Sequence, residues 1–233
     1  MNSHKKTARI VGVLYITATA AGVLSVLFLG SILEKPLNLV DVAANRSQVL
    51  IPALFMFIMA ISVAGVAIWI YPVLRKHNEA IALGCVGARV VEGALFVVSI
   101  VSLLSLVTLS QEFVIAGGPD ASFFQTEGAL LLAAFNQANI LGMAVFIMGA
   151  LMFYYLLYQT KLVPQWLSVW GLIGAPLMLI AILSPVAVAD ASPMISILNA
   201  PIALQEMVLA VWLIVKGFNS TAIDYGATKT NRN

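Results

Sequence analysis

The run from Ile81 to Leu109 is interrupted by just two charged residues, Arg89 and Glu92. A surface helix of a soluble protein keeps one polar face toward water, and this run has none. It is long enough to cross the ~30 Å hydrocarbon core of a bilayer, where every backbone polar group must be satisfied within the segment. A helix meets that condition. Charges inside it cost ~2.5–3.5 kcal/mol each on insertion scales, so an ionisable pair there marks a functional or structural centre. Arg89 and Glu92, three residues apart between Gly87 and Gly93, share one helix face.

The rest of the chain has the same character. With 61% hydrophobic residues, 9% charged and a mean hydropathy of +1.01, it falls far from soluble domains, where charged residues make up about a quarter. The expected fold class is all-α, a polytopic membrane bundle of six helices. The net charge of +2 is spread over short loops and tails, which excludes nucleic acid as a partner and leaves the lipid bilayer. A single cysteine, Cys85, excludes an intramolecular disulfide.

Taken in order, Lys5, Lys6 and Arg9 precede a first apolar run from Ile10 to Leu33. Lys5-Lys6 with Ala18-Thr19-Ala20 also fits a signal peptide, but the run continues past that site to spanning length. Gly12, Tyr15, Thr19 and Gly22 share a face there, a stripe suited to close helix packing. Glu34 to Ser47 reads as a loop with Pro36, Asn38, Asp41 and Asn45 as breakers. The second helix is expected from Val49 to Leu74 and the third from Ile81 to Leu109. Ser110 to Glu127 reads as a loop turning at Gly117-Gly118-Pro119-Asp120, with Phe113, Phe123 and Phe124 against the membrane surface.

The fourth helix is expected from Ala129 to Tyr158, with Asn136 and Asn139 on one face and Ala134, Ala138 and Gly142 as a small-residue stripe. A turn containing Pro164 leads to the fifth, Trp166 to Leu183, where Gly171, Gly174 and Pro176 permit bending. Ser184 to Ala191 reads as a loop, and Ser192-Pro193 as the N-cap and first position of a sixth helix reaching Lys216. Pro201 predicts a break in it. Residues 1–218 then form one membrane domain, and 219–233 a polar, mobile tail.

Orientation follows from the basic residues. Lys5, Lys6, Arg9, Arg75, Lys76, Lys161, Lys216, Lys229 and Arg232 fall on one side, against Lys35 and Arg46 on the other. The positive-inside rule then predicts a multi-pass protein of the cell membrane with both termini cytoplasmic. Trp69, Trp166, Trp170, Trp212, Tyr71, Tyr154, Tyr155 and Tyr158 gather toward the same boundary as an aromatic belt.

Depth selects a partner for Arg89. It lies ten residues after Glu79, and Glu206 lies ten before Lys216, so each sits roughly 15 Å from the cytoplasmic boundary. Direct contact between Arg89 and Glu206 is predicted, with Glu92 one turn farther out and Asn139 as a neighbour. Arg89, Glu92, Glu206, Asn139, Asn136 and Tyr15 form the candidate binding or proton-linked site. Two carboxylates and one guanidinium leave an excess negative charge that a proton or a bound cation would relieve. Asn136 and Asn139 also suit plain interhelical hydrogen bonding, and Cys85 a small core position.

Other chemistry finds no residues to carry it. There is no phosphate-cradling glycine loop, no H-E-x-x-H and no G-x-S-x-G elbow. His4 and His77 sit near the surface, so neither a membrane-embedded metal site nor a serine-histidine pair is expected. No residue is assigned a catalytic role and no cofactor is specified, and an enzyme using only Arg89 and the two glutamates is the less favoured reading. Ser99, Ser102 and Ser105 are expected to bond to their own helix backbone.

Several short motifs occur in order along the chain: Ala8-Arg9-Ile10-Val11-Gly12 with Tyr15, Arg89-x-x-Glu92, and Tyr155-Leu156-Leu157-Tyr158 leading to Pro164-Gln165-Trp166-Leu167 and Gly171. Pro201-x-x-x-x-Glu206 and Leu209-Ala210-Val211-Trp212 follow, then Lys216-Gly217-Phe218. Together, from Arg9 to Phe218, they resemble the bacterial "domain of unknown function 4386" family of multi-pass membrane proteins. The resemblance implies six membrane helices and no particular reaction. The chain departs from the expected pattern at Gln159 and Gln165, where basic residues would add charge to this turn. Three readings are carried forward. One is a small transporter or proton-linked permease binding a small molecule or ion at the midplane. The second is a structural or accessory protein whose buried charges lock helix packing, and the third an intramembrane enzyme or lipid-binding protein.

Overall fold

The computed structural model describes residues 3–34, 36–117, 121–187 and 192–223. Among the described residues seven helices follow one another: α1 (Ser3–Leu29), α2 (Leu39–Ala44), α3 (Ser47–Leu74), α4 (Glu79–Ile115), α5 (Ala121–Thr160), α6 (Gln165–Ala187) and α7 (Ser192–Val215). All but the short α2 are long and apolar enough to cross a membrane, giving six candidate spans. α1 packs on α3, α3 on α4, α4 on α5, α5 on α6 and α6 on α7, and α7 returns to α1. The six long helices thus close into a ring.

Small residues set how closely its members approach. A Cβ on Gly12 of α1 would lie 2.6 Å from the Ala210 carbonyl oxygen of α7, and one on Gly93 of α4 would lie 3.0 Å from that of Ala60 on α3. Between α4 and α5, Gly149 faces Ala88 and Gly142 faces the Phe96 ring. Such contacts are the main attraction between helices in lipid, where burying apolar surface gains nothing.

The larger core lies toward the termini. There Ala8, Val11, Ile70, Leu74, Leu157, Leu162, Leu209 and Leu213 are buried and close the ring from within. A smaller core on the far side joins Val42 of α2 to Met56 of α3 and to Ile100 and Leu103 of α4.

The structure revises several local expectations. The loop from Glu34 to Ser47 contains α2. Asn38, read as a breaker, is its N-cap, accepting from the Val40 and Asp41 N–H groups at 3.0 and 3.3 Å. Leu39 and Val42 bury completely, and that burial, which local composition does not reveal, fixes the turn. Ser110 to Glu127 is not a membrane-surface loop: α4 continues to Ile115 and α5 begins at Ala121. At 37 and 40 residues they reach about 55 and 60 Å, beyond the hydrocarbon. Phe113 and Phe124 pack on each other there, with ring centroids 5.5 Å apart.

α6 extends through Ser184 to Ala187, residues expected in a loop, and Ser192 is already helical rather than an N-cap. α7 runs unbroken through Pro201. Gly174 of α6 lets the Ile202 backbone approach to 3.1 Å of where a Cβ would stand, so packing holds the helix where the proline removes a hydrogen bond. The start of the tail is docked: Asn219 donates through its backbone N–H to the Leu162 carbonyl at 2.9 Å, and Ile223 is buried.

Tyr154 leaves the aromatic belt altogether, being fully buried, whereas Tyr155, Tyr158, Trp69 and Trp166 are exposed. Lys35, the turn at Gly118-Pro119-Asp120, residues 188–191 and the tail from residue 224 lie outside the described residues.

Candidate functional site

Arg89 and Glu92 lie in the first half of α4, on the one face that their three-residue spacing gives them, and are buried there. Arg89 Nη1 donates to Glu92 Oε1 and Oε2 at 3.4 and 3.2 Å, and Nη2 to Glu206 Oε1 of α7 at 3.3 Å. The equal depths expected of Arg89 and Glu206 are realised as this ion pair. Its partners differ in openness: the Arg89 and Glu92 side chains are 6% and 3% exposed, that of Glu206 15%.

Aromatic faces complete the guanidinium's surroundings. Its carbon lies 4.6 Å from the Phe146 ring centroid and 6.0 Å from that of Tyr15. A cation over a ring face is attracted by the ring's quadrupole, more strongly where water is excluded. Tyr15, buried on α1, therefore joins the site through its ring.

Toward the termini the charges rest on a second polar network. Tyr154 Oη donates to Gln205 Oε1 at 2.6 Å, and Gln205 Nε2 donates to the Leu167 carbonyl at 3.0 Å, tying α5, α7 and α6 together. Both side chains are fully buried. Gly171 makes room for this: a Cβ there would stand 2.6 Å from three atoms of the Tyr154 ring. Sequence reading missed Gln205, although a glutamine beside Glu206 in an apolar helix was a usable signal.

Away from the termini the ring encloses a cavity of about 490 Å³ with Arg89, Glu92 and Glu206 at its base. Met56, Met59, Met143 and Met178 contribute to its walls, with Thr19 and Gly22 of α1. Asn139 lines it too, its Nδ2 donating to the Phe135 carbonyl at 2.9 Å and its Oδ1 lying 3.5 Å from Ser99 Oγ. Asn136 does not join the site. It is exposed on α5 and absent from the cavity wall, so the cavity's edge falls between it and Asn139, one turn away. Asn199 of α7, which sequence reading passed over, lines the cavity with a buried Oδ1 that has no hydrogen-bond partner.

Ser99 and Ser102 bond as expected to the carbonyls of Phe96 and Val98. Cys85 is a buried free thiol. Among the described residues no three His, Cys, Asp or Glu side chains gather as a metal-ligand set. The arrangement is a charge cluster able to bind a polar or charged group at the foot of a mainly apolar chamber.

A ring of six apolar helices of membrane length, closed around ionisable side chains, defines an integral, multi-pass membrane protein of the α-helical class. Residues 10–217 match the family model described as Domain of unknown function (DUF4386), and the chain belongs to that family. Comparison with curated proteins and with solved structures gives no match.

Proposed function

We propose that the protein is a small permease of the cell membrane, with both termini cytoplasmic and a central site formed by Arg89, Glu92, Glu206 and Asn139. The observation that carries this reading is the 490 Å³ cavity, whose base is the charge cluster and which ends where the core toward the termini is packed. Sites at the midplane between two helical halves are the common arrangement in secondary transporters. Here α4 and α7, each third in its half, carry the two glutamates. The basic residues on the termini side orient the cavity outward by the positive-inside rule.

Purified protein in liposomes carrying an internal pH dye provides the test. Wild type is expected to couple proton movement to uptake of an added solute, and Arg89→Ala to abolish it. Solute uptake that continues unchanged in Arg89→Ala rules this site out as the route.

The near-complete burial of Arg89 and Glu92 favours a second role for the cluster, in which the Arg89–Glu206 pair locks α4 to α7 and Glu92 holds the guanidinium in place. Glu206, the most open of the three, then serves both the lock and the ligand.

A further inference from the structure

The balance of hydrogen-bonding groups around the cavity selects a class of ligand. We infer that the cavity receives an organic ammonium ion with an apolar body, entering sideways from the bilayer between α1 and α7. The inference deepens the permease reading and rests on it for treating the cavity as a binding site.

Several donors in the wall are already committed. Both Nη atoms of Arg89 are engaged by Glu92 and Glu206, and the Phe146 ring covers the guanidinium. Asn139 Nδ2 is bound to the Phe135 carbonyl, and Ser25 Oγ donates to the carbonyl of Gly22 at 2.7 Å. Acceptors remain. Asn199 Oδ1 is buried without a partner, and Glu206 is the most open member of the charge cluster. A ligand that completes this wall must bring N–H donors.

Charge points the same way. One guanidinium faces two carboxylates, so with all three ionised a monovalent cation restores neutrality and an anion worsens the imbalance. The four methionines supply an apolar wall that adapts to differing shapes. The volume lies in the range that encloses a drug-sized molecule.

Exposure locates the mouth. Among the residues lining the cavity, Val23 and Val26 of α1 and Ala203 of α7 are exposed. α1 and α7 meet closely nearer the termini, where Gly12 abuts Ala210 and Ile214, and the cavity occupies the space between their other halves. A portal bordered by apolar residues on two lipid-facing helices suits a solute already dissolved in the bilayer.

The probe is a matched series of phenylbutylammonium, phenylbutanol and phenylbutyrate, with binding measured by equilibrium dialysis against wild-type protein in lipid nanodiscs. The ammonium is expected to bind about tenfold or more tighter than the alcohol, and the carboxylate most weakly. Glu206→Gln should weaken the ammonium about ten- to hundredfold while shifting the alcohol little. Asn199→Leu, which leaves the charge cluster intact, should weaken the ammonium severalfold.

The ratio of ammonium to alcohol separates a specific loss from a misfolded variant, which loses both. Absence of ammonium binding to wild type, a carboxylate that binds as tightly, or a ratio unmoved by Glu206→Gln overturns the assignment. Uptake of the same series into proteoliposomes tests the two readings apart. Ammonium binding without uptake keeps the ligand class and removes the permease, whereas uptake of the carboxylate alone keeps a permease and removes the ligand class.

Discussion

Replacing Arg89 by alanine leaves Glu92 and Glu206 facing each other inside the ring without the guanidinium that pairs them. Arg89 is 5% exposed and makes ion pairs at 3.2 and 3.3 Å, so the variant breaks a buried network by removing its shared member. Breaking a buried pair in this way costs about 3–5 kcal/mol, mostly through the charge left uncompensated. Loss of the contact with the Phe146 ring at 4.6 Å adds about 0.5–2 kcal/mol. A triple variant, Arg89→Ala with Glu92→Gln and Glu206→Gln, loses the same ring contact and opens the same space, but strands no charge. The comparison therefore isolates the electrostatic part, and the triple variant should be more stable than the single one by about 3 kcal/mol. Unfolding in mixed micelles of rising SDS content, followed by circular dichroism, measures both. A triple variant that unfolds at the same SDS fraction as Arg89→Ala, or earlier, refutes the shared-charge account.

Three further outcomes are expected. Gly171→Ala should lose about 1–3 kcal/mol, because its Cβ would stand 2.6 Å from the buried Tyr154 ring, while Gly87→Ala, with nothing within 4 Å, should lose none; thermal aggregation assays in detergent compare them. Asn38→Ala should weaken α2 by about 1 kcal/mol through loss of its cap, seen as faster amide exchange over 39–44 with the long helices unaffected. Reporter fusions at Asn219 and Gly117 should lie on opposite sides of the membrane, and finding both on one side breaks the orientation.

The sequence by itself determined the six spans, because a bilayer requires long apolar runs with internally satisfied backbones, a condition imposed residue by residue. It also determined the Arg89–Glu206 contact. Helical rise converts residue number into depth, and a buried charge needs a partner at its own depth. What it left undecided depended on neighbours distant in the chain. Asn38 looked like a breaker and became a cap because Leu39 and Val42 found a place to bury. Pro201 signalled a break, yet α7 continues where the glycine of α6 admits its backbone. Tyr154 looked like a belt residue and went to the core because Gly171 and Gln205 received its ring and its hydroxyl. The cavity, with the orphaned Asn199 carbonyl in its wall, arises from how α1 and α7 meet at one end and part at the other. Spacing along one helix fixes which side chains share a face, but the space between two helices exists only once both have been placed.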